Sequence, residues 1–406
     1  MSLPPQKINS LPMKIVEELT KNLDISDSMF SDAESKYLAV AKYLGQSDNP
    51  LLQDAFIYPQ GSINLRTVVK PIGKDEFDID LVLNLPNVTN EHNPNTILKL
   101  IGDRLKDTMS IYKEKVSELN RGWRVNYAGN FHLDITPSID NPFVDAEELH
   151  YTDTSELVPD KSLKSWKDSN PRGFEKWFSE IAEQMPKFVV RNLRVLDSEI
   201  LTLEEAGLAS YTIKDIPDHN EYKGLLRKTI QLLKRHRDYY FNERSNSYND
   251  FKPISIVITT LATKSYRKII DDGIEYSCPF DMLKDIVGNM HKFIKVNDEY
   301  KIVNPTNENE NFAEKWNKDD NYIKAFEDWR EVVYYDLTQL QKQIGLHNTA
   351  KVIEESFGKI YAQNVIDSFT IEVNNSREIG KIASTIITST PLTSSIKENK
   401  FFGAHK

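Results

Sequence analysis

Apolar residues recur along this chain with two different periods, and the change between them divides it. From about Pro12 to Leu44 the residues Ile15, Val16, Leu19 and Leu23, then Tyr37, Leu38, Ala41 and Leu44, repeat at three- and four-residue spacing. That spacing predicts helix. From about Asp54 to Ile139 the pattern shortens to alternating runs broken by Gly and Pro, which predicts strands and turns. In the run from Glu76 to Leu83, Phe77, Ile79, Leu81 and Leu83 share one face; in Asn130 to Thr136, Phe131, Leu133 and Ile135 do the same. Residues 151–218 are mixed and polar, with a helix expected around Gly173 to Met185.

Beyond Asn220 the helical period returns. Leu225, Leu226, Ile230, Leu233 and Arg237 follow it, as do Ile258, Leu261, Ala262 and Tyr266, and a further helix is expected from Lys318 to Gln343. Asn304 to Asn311 reads as a loop leading into Phe312–Trp316. Ser384 to Lys406 is rich in Ser, Thr and Lys and reads as a weakly structured tail. The expected division is a helical segment over 1–50, a mixed αβ core over 51–218, a helical lobe over 219–383 and a tail over 384–406.

Composition narrows the function. The 406 residues are 39% hydrophobic and 28% charged, enough apolar material for one large or two closely packed domains. The net charge of −10 favours small substrates gripped by a few lysines and metal ions over a long nucleic acid held along a basic surface. A single cysteine, Cys278, rules out a disulfide framework or a cysteine zinc site within one chain. With no signal-peptide pattern at Met1–Leu11 and no run of about 20 apolar residues, the expected setting is the cytoplasm, without membrane insertion.

The chemistry lies on the two alternating strands. Asp78 and Asp80 stand two apart and project from one face, opposite Ile79 and Leu81. Two carboxylates so close repel each other, and a hard cation of the magnesium type relieves the cost. Asp134 projects opposite Leu133 and Ile135. If the strands are neighbours, three carboxylates meet, a set able to hold a pair of divalent ions for phosphoryl displacement, with Asp134 as proton acceptor. Upstream, Gln60-Gly61-Ser62 precedes a short helical segment, where backbone N–H groups and the Ser62 hydroxyl can approach phosphate. Each piece alone is common as a turn or a solvated strand face; their order is what carries information.

That order, Gly-Ser, short helix, Asp-x-Asp strand and third strand aspartate, resembles the DNA polymerase beta-like nucleotidyltransferase superfamily. Tyr58-Pro59-Gln60-Gly61-Ser62, Thr67-Val68-Val69-Lys70-Pro71 and Asp75 through Val82 are similar to the bacterial cGAS-like nucleotidyltransferases (CD-NTases), cyclic oligonucleotide synthases of antiphage defence. Ser169-Asn170-Pro171-Arg172-Gly173, Leu233-Lys234-Arg235-His236-Arg237-Asp238, Lys252-Pro253-Ile254-Ser255 and Asn304 through Trp316 extend the resemblance over about residues 50–330. It implies an α+β fold, a mixed-sheet nucleotidyltransferase core with an α-helical lobe and an active site in the cleft between them. It implies two magnesium ions, with manganese as substitute, on Asp78, Asp80 and Asp134, and triphosphate contacts from Gln60, Gly61, Ser62, Lys234 and Ser255. The implied activity joins ATP, alone or with a second nucleotide, into a cyclic di- or trinucleotide with release of pyrophosphate.

Linear oligoadenylate synthesis and RNA tailing are the alternatives; a catalytically dead scaffold and a protein-modifying transferase fit less well, given the intact aspartates and the long helical half. Phe401-Phe402-Gly403-Ala404 before His405-Lys406 loosely resembles tails conjugated to other proteins, which implies a regulatory protein acting on the C-terminus.

Overall fold

The computed structural model describes residues 11–21, 23–72, 77–128, 131–144, 151–188, 212–217, 223–244, 249–297, 299–343, 345–378, 381–383 and 393–395. The two strands with alternating carboxylates form the centre of a mixed sheet. Its strands are β1 (Phe56–Gln60), β2 (Phe77–Asn84), β3 (Val116–Glu118), β4 (Trp123–Tyr127), β5 (Phe131–Asp140), β6 (Glu156–Asp160), β7 (Ser165–Ser169) and, after the short β8 (Lys187–Phe188) that pairs elsewhere, β9 (Thr212–Ile213). The spatial order is β3-β4-β5-β2-β1-β9, with β6 and β7 continuing from the far end of β5. β2 and β5 run parallel, whereas β1 and β4 flank them antiparallel.

One face of this sheet is apolar. Ile79, Leu81, Leu83, Leu133 and Ile135 are at most 1% exposed. They pack under helices α2 (Asp27–Gly45) and α4 (Pro94–Leu105) through Tyr37, Ala41, Leu44, Ile97 and Ile101. The opposite face carries Asp78, Asp80 and Asp134.

The expected single helix from Pro12 to Leu44 is two. Helix α1 (Leu11–Lys21) stops, and α2 begins after Ser26, whose hydroxyl accepts from the Met29 N–H as an N-cap. The break separates their loyalties. Ile15, Val16, Leu19 and Leu23 join the helical lobe's core, whereas α2 belongs to the sheet. The lobe is built from α5 (Pro171–Ala182), α6 (Leu225–Tyr239), α7 (Ser255–Asp271), α8 (Pro279–Met290), α9 (Asn321–Lys342), α10 (Leu346–Phe357) and α11 (Lys359–Glu378). Helix α5, which precedes residue 218 and was expected in the core, buries Phe174, Phe178 and Ile181 in the lobe.

Two loop expectations also change. Val303–Asn304 and Asn307–Asn311 pair as a hairpin rather than a loop, because Asn304 and Asn311 side chains accept N–H bonds from Thr306 and Ile302 that organise the turn. In the segment expected as a weakly structured tail, Thr393–Ser395 pairs with Lys381–Ala383. The Phe401–Ala404 motif lies outside the described residues.

The seam between core and lobe is polar. Asn170 caps α5 through Gly173 N (2.9 Å), and its amide donates to Tyr151 O (2.9 Å) and to Thr306 O of the lobe (3.1 Å). Half-buried Glu310 accepts from Ser169 Oγ (3.0 Å) and Asn304 Nδ2 (2.7 Å). Burial pushes the Glu310 carboxyl up.

Candidate active site

Strand register brings the carboxylates together. Asp80 on β2 is the direct neighbour of Asp134 on β5, and Asp78 is the neighbour of His132. On the other side of β2, Asp80 pairs with Gln60, the residue that leads into the four-residue turn α3 (Gly61–Asn64). Gly61 adopts φ +66°, and a Cβ placed on it would stand 2.3 Å from Asp80 Oδ2. Glycine is required here twice over, for its left-handed backbone and for its missing side chain. The turn therefore presses directly on the central carboxylate.

Burial, together with the neighbouring charges of Asp134 and Asp78, pushes the Asp80 carboxyl up to about 7. An arginine and a histidine flank the outer acids. Arg124 on β4 forms a fork with Asp134, Nε to Oδ1 at 2.7 Å and Nη2 to Oδ2 at 2.8 Å. His132 Nε2 lies 2.6 Å from Asp78 Oδ1. With those bonds made, no three His, Cys, Asp or Glu side chains among the described residues stand at the spacing of a closed metal cage. The donor set still suits a hard divalent cation: three carboxylates on one sheet face, with the central one destabilised as an anion by its neighbours.

The Arg124 fork was not read from the sequence. The signal was present, since Trp123 and Val125 are buried and set the β4 alternation that turns Arg124 toward Asp134. Arg66 lies just after the Gly-Ser turn at φ +56°.

From the lobe, α6 faces the Gly-Ser turn. Lys234 is 3% exposed, and its Nζ donates to Ser62 Oγ (3.0 Å), Thr67 O (3.1 Å) and Thr67 Oγ1 (2.9 Å). Burial and the nearby Arg237 charge lower the Lys234 ammonium to about 7, against the attraction of Asp238 and Asp80. Lys234 belongs to a series on one side of α6. Arg227 Nε reaches Leu65 O (3.2 Å), Gln231 Nε2 reaches Val68 O (2.7 Å), and Arg235 donates to Lys70 O. These positions are spaced four, three and one apart, so the helix lays its polar edge along the carbonyls that follow the turn.

Ser255 is the first residue of α7, and Ile254 occupies the capping position. The Ser255 hydroxyl accepts from Arg237 Nη1 at 3.2 Å. Tyr240 and Phe241 pack edge to face, and Phe241 is buried in the lobe core. Trp316 is likewise core, packed on Phe326. No helix among the described residues is long and apolar enough to cross a membrane.

Comparison with known proteins agrees with this geometry. Residues 13–181 match the Second Messenger Oligonucleotide or Dinucleotide Synthetase domain. A c-di-GMP synthase of Roseivirga ehrenbergii is 26% identical over 396 residues, covering 95% of this chain and 96% of that protein. The solved structure of the Bradyrhizobium diazoefficiens CD-NTase CdnG in complex with GTP has a TM-score of 0.61 at 18% identity, over 88% of this chain and 98% of that one. That of Escherichia coli CdnC with ATP has a TM-score of 0.57 at 14% identity, over 86% and 97%. These two structures establish the shared fold, a polymerase beta-like core with its helical lobe. On the matched synthetase domain, the near-full-length relative and that fold, the chain carries a second-messenger nucleotide synthetase domain over residues 13–181 and is a nucleotidyltransferase similar to the CD-NTases.

Proposed function

We propose that this enzyme joins two purine nucleoside triphosphates into a cyclic dinucleotide. Supporting this is the register pairing of Asp80 with Asp134 on one side and with Gln60, beside the Gly-Ser turn, on the other. It sets the Gly-Ser turn next to Asp80 and Asp134. In this reading Gln60, Gly61 and Ser62 from the core, and Lys234 and Ser255 from the lobe, hold the triphosphate. Asp78, Asp80 and Asp134 hold a divalent cation of the magnesium or manganese class, which supplies positive charge to the phosphate oxygens.

A ribose hydroxyl oxygen attacks the α-phosphorus of the held triphosphate, a new P–O bond forms, and the bond to pyrophosphate breaks. The attacking hydroxyl's proton leaves to the Asp134 carboxylate. A second transfer of the same kind, with the linear intermediate's own triphosphate as electrophile, closes the ring. Sequence reasoning favoured ATP. The relative named as a c-di-GMP synthase and the CdnG complex with GTP make GTP the first substrate to test, with ATP beside it. The family resemblance extends the reading to antiphage signalling in the cytoplasm.

The test is to incubate the protein with GTP, ATP or both and magnesium, digest with phosphatase, and analyse resistant products by mass spectrometry. A phosphatase-resistant cyclic dinucleotide, lost in Asp80→Asn and Asp134→Asn, is expected. Linear oligoadenylates, tailed RNA or nucleotide transferred to protein would overturn the reading in favour of the corresponding transferase.

A further inference from the structure

Helix α6 aims two buried cations at two serine hydroxyls. Lys234 donates to Ser62 Oγ from the core, and Arg237, three residues on, donates to Ser255 Oγ in the lobe. Residues three apart are neighbours on a helix surface. Arg237 is fixed on all sides. The nitrogen that reaches Ser255 also donates to Pro253 O (2.9 Å), while Nε and Nη2 lie 2.8 and 2.7 Å from Asp238 Oδ1. Lys252 Nζ adds a second cation 3.5 Å from the same oxygen. Only 9% of the Arg237 side chain is exposed.

The consequence follows from the chemistry of a hydroxyl, which carries one proton and two lone pairs. When a cation donates to a lone pair, the proton has to point elsewhere, and the positive charge polarises the O–H bond. A serine held this way is a directed donor suited to an anionic oxygen. Pro253 fixes the backbone just before α7, and the guanidinium bonds both that backbone and the hydroxyl, so the direction of Ser255 is set by Arg237 rather than by helix capping.

We propose that Arg237 is a positioning residue for the nucleotide: it turns the Ser255 proton toward a triphosphate oxygen, in the way Lys234 turns that of Ser62. The inference deepens the reading of Ser255 as a phosphate contact and rests on it. Binding of a non-hydrolysable GTP analogue, measured by calorimetry on the full chain, separates the two. Ser255→Ala is expected to bind about tenfold more weakly, the scale of one hydrogen bond to a charged group. Arg237→Met should bind within about twofold of Ser255→Ala, and the double variant should lose nothing further, because the arginine acts only through the serine. Arg237→Lys, which keeps the charge and one donor, should recover part of the loss and also covers the case in which Arg237→Met does not fold, checked by thermal unfolding. In steady state, KM should rise with little change in kcat.

Wild-type affinity in Arg237→Met, or losses that multiply in the double variant, would overturn the role of Arg237 while leaving Ser255 a phosphate contact. Wild-type affinity in Ser255→Ala would overturn the phosphate contact itself, and the inference with it.

Discussion

Replacing Gly61 with alanine separates the stability of the Gly-Ser turn from its hold on chemistry. The substitution carries two costs. An L-residue at φ +66° is strained by roughly 1–2 kcal/mol. The added Cβ would also stand 2.3 Å from Asp80 Oδ2, and since ordinary contact begins near 3.4 Å, turn and carboxylate have to separate by about 1 Å. Gly273, at the end of α7, isolates the first cost: its φ is +64°, and a Cβ there meets nothing nearer than Lys187 Nζ at 3.9 Å. Urea unfolding of Gly273→Ala should therefore show a loss of about 1–2 kcal/mol with turnover unchanged. Gly61→Ala should lose at least as much stability. It should also lose roughly 100-fold in pyrophosphate release, the usual consequence of misplacing a reacting group by about 1 Å. Turnover of Gly61→Ala within threefold of wild type, or an equal loss in Gly273→Ala, would refute the argument that the turn positions Asp80.

Other outcomes follow from the same geometry. Arg124→Met should bind manganese roughly tenfold more tightly without nucleotide, read by electron paramagnetic resonance, because the fork on Asp134 competes with the ion; unchanged affinity would count against competition. Lys234 titrates near 7 in the folded protein and at 10.5 when free, so between these values the unfolded chain binds more protons and stability rises with pH. The stability of wild type relative to Lys234→Met, from urea unfolding, should accordingly increase from pH 7 to 9.5, and a flat difference would contradict the buried position. Asn170→Ala removes the α5 cap and two amide bonds, one of them to Thr306 O of the lobe, and should cost about 2–3 kcal/mol in urea unfolding.

What could be read beforehand, and what could not, divides by distance along the chain. Alternation alone assigned Ile79, Leu81, Leu133 and Ile135 to one face and the three aspartates to the other, because strand geometry leaves no other choice. The break at Ser26 was missed because the apolar period continues across it, while the cap that starts the second helix depends on a hydroxyl oriented by structure. The Asn304–Asn311 hairpin was missed for a similar reason: asparagine side chains satisfy backbone groups locally in a stretch without alternating apolar residues. Arg124, Thr67, Gln231 and Arg237 acquire meaning only once strand neighbours and α6 are placed, since each acts on a group far away in sequence or across a strand pair. Lys234 and Ser255 entered through family resemblance; their actual partners, Ser62 and Arg237, came from the fold.

The bonds from α6 to the carbonyls of Leu65, Thr67, Val68 and Lys70 span some 162 to 167 residues. The support of the Gly-Ser turn is therefore a late event in the life of the chain: a ribosome has to deliver Arg235 before the stretch behind Gly61 has anything to lean on. Residues 13–181, the portion with a recognisable synthetase signature, end well short of that helix. Expressed alone, such a fragment would carry Asp78, Asp80 and Asp134 and still lack the scaffold that shapes the turn beside them. And because main-chain oxygens rather than side chains are gripped, substitutions at 66, 69 and 70 should be tolerated more readily than changes at 227, 231, 234 or 235.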